Sequence, residues 1–239
     1  MLYAVFFSED GACTGTRFRL LTTPHTNDDF AEEYAVLTKP GGNYHVAFYQ
    51  NGKSFEFCGA GALCIADYLQ GVLDNRADNQ IEATVIHHAS HSFSVFSASD
   101  QPMVALSLVA PDRIEENADY KRRAYFDRQG VQLLQLASVV EVQNYVWSAV
   151  NATPPTNTLI ALHVDRQTAR IHFRYFTAFN DKGEDQATGS IFRYLDALRL
   201  PENIWFTVEQ CSGNGARMRC IRHGRQCRYT GLVRRIVES

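Results

Sequence analysis

Cys58 heads the run Cys58-Gly-Ala-Gly61, directly before a stretch of apolar residues suited to a helix. A helix N-terminus carries about half a positive charge and unpaired N–H groups, so it favours an anion. A thiol placed there is expected to ionise more readily and to serve as base or nucleophile. The small residues Gly59, Ala60 and Gly61 let a ligand approach the backbone, whose N–H groups suit a carboxylate. The plain alternative is a buried cysteine before a glycine-rich helix start. Farther along, Glu184, Asp185, Gln186, Thr188, Gly189 and Ser190 gather at a second such start. Thr188 or Ser190 would serve equally as an ordinary helix cap, and Asp185 as a solvated turn residue beside Gly183. Two helix starts facing one cleft would clamp an anionic substrate and set proton-transfer groups on both of its sides.

The elements that must position these residues read as two copies of one unit. Residues 48–69 and 176–198 each run strand, polar turn with Asn and Gly, small-residue stretch, apolar helix. Such a repeat predicts two similar domains, 1–111 and 112–239, parting near Pro111. The first helix, 61–73, is apolar almost all round and is therefore buried. The second, 190–198, carries Ile191, Phe192, Leu195 and Leu198 at helical spacing on a narrower face. Strands are expected at 2–7, 18–22, 34–37, 44–49, 82–87, 93–96 and 104–109 in the first half. In the second half they are expected at 144–150, 159–164, 169–177, 204–208, 217–222 and 226–236. The charged stretch 112–123 stays open between helix and loop. Buried helices among many strands suggest an α+β chain in which a sheet curls around a central helix.

Apolar content of 45% and charged content of 21% are those of an ordinary globular chain. The net charge of -3 argues against a dedicated nucleic-acid binder. The arginines between 217 and 235 alternate on a hairpin and read as a solvated face, although Arg217 could reach the cleft and pair with a substrate carboxylate. No run approaches the ~18 apolar residues of a membrane span. The opening Leu2-Tyr-Ala-Val-Phe-Phe7 runs straight into Ser-Glu-Asp, unlike a signal peptide, so the expected compartment is the cytoplasm. Cysteines at 13, 58, 64, 211, 220 and 227 include no CxxC pair, which fits neither a disulfide framework nor a zinc ribbon. His87 and His88 would point to opposite faces of a strand, and with His91 they lack an acidic or Cys partner nearby in sequence. No metal is expected there.

The segment Asn51-Gly-Lys-Ser-Phe-Glu-Phe-Cys58-Gly-Ala-Gly-Ala-Leu-Cys64 resembles the NaDGSxxxxCGNGxRC signature of diaminopimelate epimerases. Phe173-Arg-Tyr-Phe-Thr-Ala178 with Glu184-Asp-Gln-Ala-Thr-Gly-Ser190 resembles the RxFxP…EDPxTGSA signature of the phenazine-biosynthesis (PhzF-like) isomerases. Glu209-Gln210, residues 213–221 and Tyr229-Thr-Gly231 resemble the closing strands of that family. The resemblance implies the diaminopimelate-epimerase-like fold: two pseudo-symmetric domains, each a β-barrel-like sheet around a central helix. It sets Cys58 on the first catalytic cysteine of the epimerases, and Asp185, Gly189 and Ser190 on the acidic and TGS positions of the isomerases. Gln186 falls where the epimerases carry their second cysteine, and it cannot abstract a proton. Ala60 falls where the isomerases carry a histidine. Their catalytic glutamate corresponds to Glu32, with Glu33 the neighbouring alternative. The string Cys211-Ser-Gly-Asn-Gly-Ala-Arg217 repeats the epimerase pattern but precedes a strand, and is read as coincidence.

The expected function is a cofactor-independent isomerase or epimerase that moves a proton next to the carboxylate of a small metabolite. Cys58, Asp185 and Glu32 are its expected acid/base groups. Asn51, Gly59, Ala60, Gly61, Gln186, Thr188, Gly189, Ser190 and Arg217 are the expected substrate contacts. Backbone N–H groups at the two helix starts would hold the carboxylate or a developing enolate. The competing expectation is a small-acid-binding relative that kept the anion clamp and lost the bases. A third, a nucleic-acid module built on the arginine-rich tail, sits badly with the acidic balance. The expected partner is a small carboxylate-bearing substrate, with no nucleic acid and no membrane, and the resembling families suggest a homodimer.

Overall fold

Along most of the chain apolar and polar residues alternate, and each alternating run becomes a strand with one side turned inward. In the second strand, for instance, Phe18 and Leu20 are buried while Arg17 and Arg19 face out. The computed structural model describes residues 1–23, 33–73, 83–89, 91–96, 101–117, 121–147, 157–178 and 183–237.

The first half contains β1 (Leu2–Phe7), β2 (Thr16–Leu21), β3 (Glu33–Thr38), β4 (Tyr44–Gln50) and β5 (Lys53–Phe55). Helix α1 (Gly59–Leu73) follows, then β6 (Ala83–His87), β7 (Ser92–Phe96) and β8 (Met103–Ser107). The second half contains β9 (Arg113–Glu116), β10 (Arg122–Phe126), β11 (Val131–Gln135) and the short α2 (Val139–Gln143). It continues with β12 (Thr158–Asp165), β13 (Arg170–Thr177), β14 (Glu184–Asp185) and a 3-10 helix (Ser190–Leu198). β15 (Trp205–Gln210), β16 (Ala216–His223) and β17 (Gln226–Ile236) complete it.

The pairing pattern occurs twice. β2 is antiparallel to β1 and parallel to β3; β4 is antiparallel to β3 and β5 and parallel to β6; β7 joins β6 to β8. In the same order β11 joins β10 to β12, β13 joins β12, β14 and β15, and β16 joins β15 to β17, each with the matching sense. The expectation of two separate barrel-like sheets, each with its own central α-helix, is nevertheless overturned. All strands belong to one continuous 17-stranded sheet. The physical reason is β17, which is long enough to serve both halves. Its residues 226–230 pair with β8, and Leu232 to Ile236 pair with β1, while β16 lies on its other side.

The second expected helix is 3-10 rather than α. It is only nine residues long, and its end is fixed by Arg199 in a left-handed conformation (φ 46) whose N–H returns to Asp196 O, three residues back. Three further corrections concern the second half. Residues 144–147 form no strand; α2 lies just before them, opened by Ser138, whose side chain accepts the Glu141 N–H at 3.2 Å. The rest of that expected strand, 148–150, lies outside the described residues. The charged stretch left open between helix and loop supplies strands β9 and β10, and β11 was not expected at all.

One core cluster runs through both halves. Helix α1 supplies Ala62, Leu63, Cys64, Ile65 and Leu69, packed among Phe18, Phe48, Ile86 and Phe93. Each buried side chain of Leu, Ile or Phe size contributes roughly 1.5–3 kcal/mol, so this cluster fixes α1, and therefore Cys58, against the sheet. The 3-10 helix anchors itself likewise through Ile191, Phe192, Leu195 and Leu198. A smaller cluster of Leu134, Leu136, Val142, Leu159, Ala161 and Phe176 places α2 on the outer face of the second half.

Candidate active site

The two helix starts meet. A Cβ added to Gly59 would lie 2.5 Å from Gly189 Cα, and one added to Gly189 would lie 3.0 Å from Gly59 Cα. Only glycine at both positions allows this approach. Ser190 tightens the seam by donating its hydroxyl to Phe57 O at 3.5 Å.

Cys58 sits at the mouth of α1 and is 4% exposed. Its sulfur caps the helix by accepting the Gly61 N–H at 3.3 Å, and its thiol donates to Glu33 Oε2 at 3.3 Å. Glu33 opens β3 and shares the inner side of that strand with Ala35 and Leu37, by the two-residue period. Across the seam, the Asp185 carboxylate accepts the Ala187 N–H at 3.1 Å and the Thr188 hydroxyl. Gln210 braces this turn from β15: its Oε1 takes the Thr188 N–H at 2.7 Å and its amide donates to Asp185 O. Tyr175 stands opposite Asp185 on β13, its phenol hydrogen-bonded with Thr158 and pushed up by burial, by Tyr194 and by Asp185. Among the described residues, the N–H groups of Gly59, Ala60 and Gly189 meet no hydrogen-bond acceptor.

Burial dominates the electrostatics. Glu33 and Asp185 keep some accessible surface, yet both are enclosed deeply enough that loss of water is the largest influence on each. Glu33 is raised to about 7, first by burial and then by the charge of Asp185, against the thiol bond from Cys58. Asp185 is raised to about 6 by burial, with the Ala187 N–H and the Thr188 hydroxyl pulling the other way. The two carboxyls act on one another and titrate as a pair above the ordinary carboxylate range. The expectation that the helix start makes Cys58 ionise readily is reversed. Burial and the Glu33 charge push its thiol well up, and the Gly61 N–H offsets this only in part. Cys58 is therefore a neutral hydrogen-bond donor at neutral pH.

The structure thus brings together Cys58, Gly59, Ala60, Gly61, Asp185, Thr188, Gly189 and Ser190. Glu32 lies outside the described residues, and its neighbour Glu33 is the carboxyl that meets Cys58. Asn51 is not brought to the cluster; it is exposed in the Asn51-Gly52 turn of the β4–β5 hairpin, with φ 50 and 72. Gln186 is held within its own turn, its side-chain amide donating to Glu184 O and its backbone carbonyl accepting the Ser212 hydroxyl. Arg217 points elsewhere, to Asp10 at 2.9 Å and Glu209 at 3.2 Å. Glu209 in turn lies 3.5 Å from His172. His87 meets Ser92, the His88 and His91 rings lie 4.8 Å apart, and no metal-holding group of three or more His, Cys, Asp or Glu occurs among the described residues. Gln210 and Tyr175 were missed as site residues. Their signal was available in strand parity, which turns Gln210 inward beside Val208 and Tyr175 inward beside Phe173.

No protein-family model matches the chain, and no curated protein does. Solved structures do. A phenazine biosynthesis PhzF family protein from Enterococcus faecalis superposes with TM-score 0.70 at 16% identity, over 98% of this chain and 95% of that one. A predicted epimerase from Pseudomonas aeruginosa gives TM-score 0.62 at 16% identity, over 99% and 97%. A hydroxyproline epimerase from Agrobacterium vitis, with bound trans-4-OH-L-proline, gives 0.50 at 12%, over 84% and 72%. At these identities the likeness is one of fold, and the chain has the fold that PhzF-type and epimerase structures share.

Proposed function

We propose that this protein is a cofactor-independent isomerase or epimerase that moves a proton on the carbon next to the carboxylate of a small acid. The observation that carries this reading is the cluster of Glu33, Cys58 and Asp185 around two touching helix starts with free N–H groups. The substrate carboxylate binds the N–H groups of Gly59, Ala60 and Gly189, where charge that builds up on it as an enolate is stabilised. Asp185, the lower of the two and so the first to ionise, takes the proton from carbon; Glu33, which still carries its proton close to neutrality, returns one from the opposite side. Carboxyls tuned towards the working pH are the efficient choice for both steps. The Cys58 thiol orients Glu33 by donating to its Oε2. The fold shared with a PhzF family protein and a hydroxyproline epimerase supports the reaction class. The repeated pairing order supports an internal duplication into halves 1–111 and 112–239, with one acidic group from each at the site.

The test is deuterium entry next to the carboxyl group, followed by NMR in D2O over a panel of amino, hydroxy and unsaturated acids. Wild type is expected to label at least one acid, and Glu33→Gln and Asp185→Asn to slow labelling by about 10²–10⁴-fold, the usual worth of a positioned acid or base. An acid that perturbs the protein spectrum without ever exchanging would instead make this chain a binder. The high-lying Cys58 thiol, unfit as a thiolate base, is the observation that keeps this second reading in play.

A further inference from the structure

We propose that Tyr229 is a positioning residue that holds the two helix starts in register; the importance of that register rests on the reading of the cleft given above. Tyr229 is fully buried in β17, opposite Val104 of β8 and Cys220 of β16, where the strands of the two halves join. Its hydroxyl donates to Gly59 O at 3.0 Å. Its ring lies on Phe192, with centroids 4.3 Å apart and planes 16° from parallel. Phe192 is the third residue of the 3-10 helix, and its N–H returns to Gly189 O at 3.3 Å. One side chain therefore grips both members of the Gly59–Gly189 contact, one by a hydrogen bond and the other through a stacked ring.

Phenylalanine would fill the same space and keep the stack. What the hydroxyl adds is a bond to the residue whose Cα forms the seam and whose N–H stands free. A buried phenol needs a partner, and Gly59 O supplies it. If Gly59 shifts, three groups move with it: its own N–H, the Ala60 N–H, and the Gly61 N–H that caps the Cys58 sulfur. Tyr229 also lies close enough to Cys58 for the two ionisations to oppose each other. The sequence hid this residue inside a closing strand, where an aromatic reads simply as core.

Tyr229→Phe tests the assignment without any substrate. Amide resonances of Gly59, Ala60, Gly61 and Gly189 are followed by 1H–15N NMR, and Cys58 alkylation by iodoacetamide is followed against pH by peptide mass. The variant should move the Gly59–Gly61 amides and raise the alkylation midpoint. A half-unit rise lowers the rate at pH 8 about threefold, through the thiolate fraction. Phe192→Leu, which leaves the hydroxyl in place, should move Gly189 more than Gly59, and it keeps the question open to test if Tyr229→Phe does not fold. A lower melting temperature with unmoved amides and an unchanged alkylation profile would make Tyr229 plain core and overturn the proposal. Because neither readout needs turnover, moved amides in a chain that exchanges no acid would sustain the positioning role while sinking the isomerase reading.

Discussion

In the proposed reaction Glu33 is the group whose state decides whether the cleft can return a proton to carbon, and its environment has a measurable consequence for stability. Unfolded, it titrates near its ordinary 4.5; folded, near 7. Between those values the folded state holds more protons, so the contribution of Glu33 to stability declines as pH rises through that window. His91, lowered to about 4 by burial, works in the opposite sense between there and its ordinary 6.5, so the total profile mixes both. Comparison with Glu33→Gln isolates the glutamate. In thermal melts the variant should gain on wild type between pH 5 and pH 8; a constant gap would mean that Glu33 is not raised. Cys58, Asp185 and Ser190 were legible in the sequence because small residues before an apolar helix mark a helix start. The state of the Cys58 thiol was not. It depends on Glu33, 25 residues away, and on enclosure by both halves, neither of which is encoded near Cys58.

Among the elements, α1 was the most legible, since an apolar surface all round leaves a helix no place except the interior. The 3-10 helix was placed correctly by its spacing of Ile191, Phe192, Leu195 and Leu198 but mistaken in type, because those four residues also fit the α period; the full buried set adds Tyr194 and Ala197 and repeats in pairs every three residues, as 3-10 geometry requires. Helix α2 was missed although Ser138 and Glu141 carry the spacing of a capping box. The site depends most on how closely the two helix starts approach. Gly59→Ala sets a methyl 2.5 Å from Gly189 Cα, and the obstruction is backbone, which cannot swing aside. The variant should lose about 1–3 kcal/mol, as overpacked interiors do, and bind carboxylates more weakly. An unchanged melting temperature would show that the seam is looser than described.

At the scale of the whole molecule the repeated order of strand pairing has a counterpart in the sequence, but the joining of the two sets of strands has none. A pattern of two similar units suggests two bodies; β17 makes them one sheet, and register across β8, β17 and β1 is set by contacts no local pattern records. The core cluster likewise passes from Phe18 and Phe48 to Phe173 and Phe206 without a break. Calorimetry should therefore give one transition with equal calorimetric and van't Hoff enthalpies. Two resolved transitions would contradict a shared sheet.

The proposed reaction requires a carboxyl that still carries a proton near neutral pH inside this cleft, and 13C NMR titration of the Glu33 and Asp185 side-chain carboxyls measures that directly. The structure predicts midpoints near 7 and 6, with Glu33 falling when Asp185 is replaced by Asn. Both carboxyls titrating near 4, each indifferent to the other, would contradict the account.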